Sequence, residues 1–464
     1  MAQSWTTFGI DLHLDLDTAH GRRTGLEQGL RDAIRDGRLA PRTRLPSTRA
    51  LAAELGLARG TVSTAYEQLI AEGYLVARRG SGTAVAVLPR QTSGGGRTPM
   101  RVDGQRRPGD PDLTAFPVAG WLRATRRALA AAPAEAYYYG DPRGRIELRS
   151  ALADYLGRTR GVLASPDQII ITSGYLQALA LLAQVLRERG TTAVAMEDPG
   201  VRFHQTVVAR AGLRVLPLPV DESGARTDLL RDGEIGGEAG AVVVTPAHQY
   251  PTGATLHPAR RHTLAQWARA RGGLVIEDDY DGEFRYDRQP VGSVQGTAPD
   301  QVAYVGSASK TLGPALRLGW LVLPHHLVDA VADAKLHHDH HTETIGQLTL
   351  AEFITGHDYD RHIRASRLRY RKRRDLLLAR LQPTTAVRGA AAGLHAMISL
   401  PPGGPDEAAV LARTAGSGLP VTGLAEHWHD PGADHPPGVV VGYAACSDGA
   451  YPAALDTLGR ALMS

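Results

Sequence analysis

The chain has 464 residues, 43% of them hydrophobic and 22% charged, which excludes a wholly disordered polypeptide and gives ample length for a large core. At roughly 150 residues per domain, the length fits about three units, or one large and one small. The net charge is only +4, so nucleic-acid binding has to be argued from local pattern. Cysteine occurs once, at Cys446, which excludes a disulfide framework and points to a reducing, cytoplasmic compartment. The first residues read neither as a secretory leader nor as a membrane span, and no membrane partner is expected.

Residues 20–88 read as helices followed by a hairpin. Leu26, Leu30, Ala33 and Ile34 recur at helical spacing, and Gly37 stops that helix. Ser47 or Thr48 caps a second helix carrying Leu51, Ala52 and Leu55, ended by Gly56. A third helix, from about Ala58 to Glu72, places Val62, Ala65, Tyr66, Leu69 and Ile70 on one face. YLVARRGSGTAVAV then reads as two strands around a turn at 80–82, which makes a winged helix-turn-helix. A recognition helix needs an exposed polar first turn to reach base edges. Arg59, Thr61, Ser63 and Thr64 supply it, Arg49 sits on the preceding helix, and Arg78, Arg79 and Gly80 belong to the wing.

Residues 89–111 are rich in Pro, Gly and Arg and read as a linker. From 112 to 464, helices alternate with apolar strands. QIIIT (168–172), TAVAME (192–197), AVVVT (241–245), GLVIEDD (273–279) and QVAYVGS (301–307) predict an α/β domain with a mostly parallel sheet. Beyond about 350 a smaller, mixed subdomain is expected, and no internal repeat is visible.

Lysine occurs only at Lys310, Lys335 and Lys372. Lys310 follows a buried strand and a serine-rich turn, as a Schiff-base lysine beside a phosphate pocket requires, with Ser307, Ser309 and Arg317 available to an anion. In GLVIEDDYDGEF, Asp278 is placed to pair with a pyridinium nitrogen and Tyr280 to reach a ring oxygen. Ser173 and Gly174, followed by Tyr175, open a helix whose N–H groups suit a phosphate. The crowded carboxylates have no His or Cys spacing beside them, so no metal site is expected there. His337 and His341 in LHHDHHTE stand four apart and read as a histidine-rich surface turn in preference to a metal site. The basic helix RHIRASRLRYRKRRD is read as solvated, with contact to wrapped DNA as the other reading. His427 and Trp428 are read equally as pocket, core or surface residues.

RLPSTRALAAELGLARGTVSTAYEQLIAEGYLVARRGSGTAV resembles the GntR-type winged helix. That resemblance implies DNA contacts at Arg49, Arg59, Thr61, Arg79 and Gly80. Arg42 stands where a turn glycine is usual, and Gly60 where a polar contact residue is common. ASKTLGPALRLGW, GLVIEDDYDGEF and ITSGYLQAL, with YYYGDPRG, PAHQYPTG and GHDYDRHIRASRLRYRKRRD, look like the fold type I aminotransferase domain. The fusion is similar to the MocR/GabR family of bacterial regulators. It implies pyridoxal 5′-phosphate as cofactor, an internal aldimine at Lys310, and a phosphate cradle of Ser173, Gly174, Ser309 and Arg317. Tyr139 resembles the tyrosine that reaches the phosphate of a neighbouring subunit, which implies a homodimer. The expected partners are double-stranded promoter DNA and a small effector, either the cofactor or an amine.

Three departures qualify this. Val201 occupies the place of a ring-stacking aromatic, so that either Phe203 substitutes or stacking is lost; Tyr250 replaces the asparagine before PTG; and GVVVGYAA offers Val439, Val440 and Val441 where a carboxylate-binding arginine is usual. Weak transamination at most is therefore expected. The runner-up is a working aminotransferase with an auxiliary DNA-binding unit, and a third reading is a repressor with a cofactor-free relic domain.

Overall fold

The computed structural model describes residues 21–78, 82–88, 106–232, 234–286, 291–381, 386–389 and 391–463. Its contacts divide the chain into two units, 1–103 and 104–464.

In the first unit, α1 (Arg22–Arg35), α2 (Thr48–Leu55) and α3 (Arg59–Ala71) precede the hairpin β1 (Leu75–Arg78) and β2 (Gly82–Val85). Leu26, Leu30, Leu51, Val62, Ala65 and Leu69 are fully buried, so the 3.6-residue apolar period builds this small core as the sequence predicts. Ser47 rather than Thr48 caps α2, accepting a hydrogen bond from the Ala50 N–H at 3.2 Å, and Gly56 ends it in the left-handed region at φ 62°. The Tyr66 hydroxyl donates to the Pro46 carbonyl at 3.0 Å, tying α3 to the approach of α2. Arg31 on α1 bridges to Glu72 just after α3 with two bonds of 3.0 and 2.9 Å. Arg79 and Gly80 lie outside the described residues.

The second unit is built on an eight-stranded sheet. Its strands are β3 (Ile169–Thr172), β4 (Ala193–Asp198), β5 (Arg214–Asp221), β6 (Gly224–Ala225), β7 (Ala239–Val244), β8 (Leu274–Asp279), β9 (Val302–Ser307) and β10 (Gly319–Val322), in spatial order β3-β10-β9-β8-β7-β4-β5-β6. Strands β9, β8, β7, β4 and β5 run parallel, as predicted; β10 is antiparallel to both of its neighbours and β6 is antiparallel to β5. The predicted strands fall on β3, β4, β7, β8 and β9, whose residues are almost all buried, which is why they read as continuous apolar runs.

Helices in this unit are α4 (Val118–Ala131), α5 (Ile146–Arg160), α6 (Tyr175–Glu188), α7 (Arg202–Arg210), α8 (Leu229–Asp232), α9 (Glu234–Glu238), α10 (Pro258–Arg271), α11 (His325–Asp339), α12 (Thr344–Thr355) and α13 (Asp358–Leu381). Two apolar clusters gather on the sheet: one includes Ile170, Leu182, Val194, Ile276 and Val305, the other Val242, Val275, Leu264 and Trp267. The chain then forms a smaller antiparallel sheet of β11 (Val387–Arg388), β12 (His395–Ser399), β13 (Val421–Gly423) and β14 (Gly438–Gly442), ordered β11-β12-β14-β13, with α14 (Glu407–Thr414) and α15 (Tyr451–Met463). This is the mixed subdomain expected after 350. Among the described residues, no helix is long and apolar enough to cross a membrane.

Candidate functional site

Strand register brings the scattered motifs together. Gly319 at the start of β10 pairs with Thr172 at the end of β3 and with Ser307 at the end of β9. The turn 173–175, the turn 308–310 and Arg317 therefore meet at one edge of the sheet, beside the carboxyl ends of the parallel strands where α/β folds bind ligands. The approach is close: a Cβ on Gly319 would lie 2.8 Å from the Gly174 Cα.

The turn after β9 is tight. Leu312 N–H and Gly313 N–H both donate to the Ala308 carbonyl, at 2.9 and 3.1 Å, and Ala308 N–H donates to Leu318 at 3.0 Å. Ser307 is buried, and Ser309 and Lys310 are half-buried. Lys310 Nζ lies 3.3 Å from Asp110 Oδ1. Asp110 falls in the segment read as linker, and residue type alone gives no signal for it. Arg317 is in the left-handed region at φ 53°, and its guanidinium donates to the Ser173 carbonyl. Gly174, at φ 90°, leaves room for that guanidinium; a Cβ there would sit 3.0 Å from Nη1. The Ser173 N–H is already given to Gln177 Oε1 at 2.7 Å, so the free N–H groups expected at this helix start are those beginning at Gly174, not at Ser173.

Asp278, the next-to-last residue of β8, is 6% exposed, and its Oδ1 has no hydrogen-bond partner. Burial, with Asp279, Glu197 and Asp281 nearby, holds its carboxyl well above the usual range despite the Tyr175 hydroxyl beside it. Tyr175 lies with its ring 4.6 Å from that of His204 on α7. Burial, with Lys310 nearby, pushes His204 down to about 4, so its ring is neutral. Phe203, the proposed substitute for an aromatic at Val201, is 58% exposed; the inward ring on α7 is His204. Burial pushes the buried Glu197 on β4 up to about 7.

Tyr280 follows β8, and its hydroxyl is 3.2 Å from His248 Nδ1. Tyr250 packs edge-on against His427 at 5.3 Å and against His395 at 4.7 Å. His427 is a buried ring, which burial pushes down to about 4, while Trp428 stacks on His435 at 4.0 Å. Val439, Val440 and Val441 are fully buried, and Val440 clusters with Tyr250 and Trp428. An apolar surface thus occupies the strand where a carboxylate-binding arginine was looked for. Tyr139 stands apart, 69% exposed, with its ring 4.7 Å from that of His340. His341 lies beyond the end of α11, whose chain turns left-handed at His340 (φ 66°), so His337 and His341 share no helix face.

In the first unit, α3 starts at Arg59 with Ala58 at its N-cap and no side-chain cap. Arg49, Arg59 and Thr64 are exposed, Thr61 and Ser63 half-buried, and Ser63 donates to Glu67 at 3.2 Å. The exposed first turn and its uncapped N–H groups form a surface suited to phosphate and base edges.

Comparison with known proteins gives the same division. Residues 23–85 match the family described as bacterial regulatory proteins, gntR family, and residues 109–417 match aminotransferase class I and II. The chain is 34% identical to the probable rhizopine catabolism regulatory protein MocR of Rhizobium meliloti, over 79% of this chain and 78% of that protein. It is 32% identical to the pyridoxine biosynthesis transcriptional regulator PdxR of Corynebacterium glutamicum, over 91% of this chain and 92% of that one. Among solved structures, an archaeal alanine:glyoxylate aminotransferase superposes with a TM-score of 0.70 at 25% identity, covering 77% of this chain and 89% of that one. Aspartate aminotransferase from Thermus thermophilus with maleate gives 0.67 at 26% identity, covering 76% and 90%.

Proposed function

We propose, for a chain that belongs to the MocR-type transcription regulators with a GntR winged helix and a class I and II aminotransferase domain, that Lys310 is the point at which pyridoxal 5′-phosphate or an amino compound is sensed. When bound, this cofactor supplies an aldehyde that condenses with a primary amine and a ring that withdraws electrons. The observation that carries the reading is Asp278 Oδ1, a buried carboxylate oxygen with no partner on the strand beside the lysine turn. Such a group costs about 1–3 kcal/mol unless a donor reaches it, and a protonated ring nitrogen supplies both a donor and a charge.

In this reading Lys310 would hold the cofactor, and Tyr280 would meet its ring oxygen. Tyr175 and His204 would contact the ring, and Ser173, Gly174, Ser307, Ser309 and Arg317 would hold the phosphate. Arg49, Arg59, Thr61, Ser63 and Thr64, with Arg79 and Gly80 of the wing, contact duplex DNA. Tyr139 reaches the site of a second copy in a homodimer. The domains run 20–88 and 112–464 with 89–111 between them, and the protein works in the cytoplasm. The buried valines of β14 leave ordinary α-amino acids without a carboxylate anchor, which favours sensing over sustained transamination.

The test is direct. Purified protein incubated with pyridoxal phosphate is expected to turn yellow, and Lys310→Ala to stay colourless. Borohydride reduction should tag the peptide containing the Ser309–Lys310–Thr311 turn. The affinity for DNA upstream of its own gene should differ with and without the cofactor; an untagged turn or an unchanged affinity would count against sensing at this lysine.

A further inference from the structure

Behind Tyr280 lies a buried polar cluster that the cofactor cradle does not use. Asp281 and His248 are each 2% exposed and are joined at 2.9 Å between Oδ2 and Nδ1. The same Nδ1 is 3.2 Å from the Tyr280 hydroxyl. His395 on β12, equally buried, places its ring 4.8 Å from that of His248. Gly393, at φ 76°, makes this possible, because a Cβ there would fall 2.0 Å from His248 Cε1.

A carboxylate only accepts hydrogen bonds, so the contact with Asp281 fixes a proton on His248 Nδ1. That N–H faces the phenol oxygen and cannot take the phenol's own proton. Burial, with Asp281, Asp278 and Tyr250 around it, holds the Tyr280 phenol well above its usual range, so it stays a donor. The Asp281 carboxylate is the other acceptor beside the phenol; with its Oδ2 taken by the His248 Nδ1–H, the direction left to the phenol proton is away from His248. We infer that the Asp281–His248 pair is a positioning unit that turns the Tyr280 hydroxyl proton toward the ring oxygen of the cofactor and thereby sets the protonation midpoint of the cofactor held at Lys310. This rests on the reading of Lys310 as the attachment point.

The groups facing the pair are Asp278 and Asp281 at the end of β8, Tyr250, and His395 from β12. His395 in turn feels His427 and Lys310 and is held neutral by burial. His248, Asp281 and His395 also have ligand-type atoms within 4.8 Å of one another, and His248 Nε2 and both nitrogens of His395 have no partner. A metal ion held by these three residues would compete with the Asp281–His248 contact, so the two readings predict different metal contents.

The experiment titrates the visible absorption of the full-length, cofactor-loaded protein against pH. Tyr280→Phe removes the hydrogen bond that stabilises the anionic ring oxygen and should raise the midpoint by about one pH unit. His248→Phe keeps a ring against His395 but removes Nδ1, and should move the midpoint the same way. The double variant should match Tyr280→Phe alone. Asp281→Asn keeps an acceptor, removes the charge, and should give a smaller rise; it decides the matter if His248→Phe does not fold. A midpoint that stays put in Asp281→Asn and His248→Phe, or effects that add in the double variant, would overturn the positioning role. So would a stoichiometric metal ion in purified protein that His395→Phe releases. A wild type that takes up no cofactor is a separate result, which removes the reading at Lys310 itself.

Discussion

The two units hold their proposed functional side chains in opposite ways. In the winged helix, Arg49, Arg59 and Thr64 are exposed on short helices and few of their atoms are committed inside the protein. In the cofactor unit, Asp278, Tyr280 and Glu197 sit among buried neighbours that set their charge. A phosphate backbone is met from water by mobile cations, whereas a covalently held ring needs fixed, desolvated partners. Changes in the first unit should therefore read out as affinity for DNA and little else. Changes in the second should alter charge states as well as binding.

The largest effect should follow Asp278→Asn. Removing one member of a buried charged pair costs about 3–5 kcal/mol, so cofactor affinity should fall by at least about 100-fold. DNA binding by the cofactor-free protein should stay within about twofold of wild type. Equilibrium dialysis and a gel-shift assay on the same preparations check both halves, and a parallel loss of DNA affinity would erase the contrast between the units.

Glu197→Gln tests whether buried charge is stored in the second unit. A carboxyl raised to about 7 in the folded state favours folding at low pH, and that contribution is lost as pH rises from its unfolded value near 4.3. The variant has no such group. Its stability relative to wild type should therefore increase between pH 5 and 7 by up to about 3 kcal/mol, then level off. Urea unfolding at pH 5, 6, 7 and 8 measures this; a pH-independent difference would show that Glu197 titrates normally.

Arg59→Ala probes the exposed side of the contrast. Loss of an arginine reaching a guanine or a phosphate should cost about 1–3 kcal/mol in DNA affinity, on the order of tenfold. The colour of the loaded protein should not change. If Arg59 meets only phosphate, the salt dependence should weaken with no change in sequence preference.

What the sequence made legible follows the same division. The helices α1 to α3 and the buried strands announce themselves because burial imposes a period, and Lys310 stands out because lysine is scarce. Asp278 and Tyr280 can be singled out as candidates because they stand at the end of a predicted strand, which the fold places there. Asp110, Gln177, His248 and His395 cannot, because register and long-range packing bring them to the site. His248, Asp281 and His395 are far apart in sequence yet share one cluster. The sequence left open whether Phe203 substitutes at Val201 or stacking is lost, because which side chain of α7 faces inward depends on where the helix begins, and a shift of one residue turns it by about 100°.

The smallest effect is expected from Arg42→Gly, and it isolates the first unit. Arg42 has φ 69°, a left-handed conformation that costs a residue with a Cβ about 1 kcal/mol and glycine much less. Its N–H must still reach the Val85 carbonyl at 2.9 Å, so the turn cannot relax without giving up a bond that joins it to the wing. Glycine keeps that N–H and removes the strain, while adding some freedom to the unfolded chain, so the net gain should be about 0.5–1 kcal/mol. Calorimetry of the full-length protein should show the winged-helix transition rising by a few degrees, while the transition sensitive to pyridoxal phosphate stays in place. If both rise together, the units unfold as one, and the stabilities of the DNA-binding and cofactor-binding units are thermodynamically coupled.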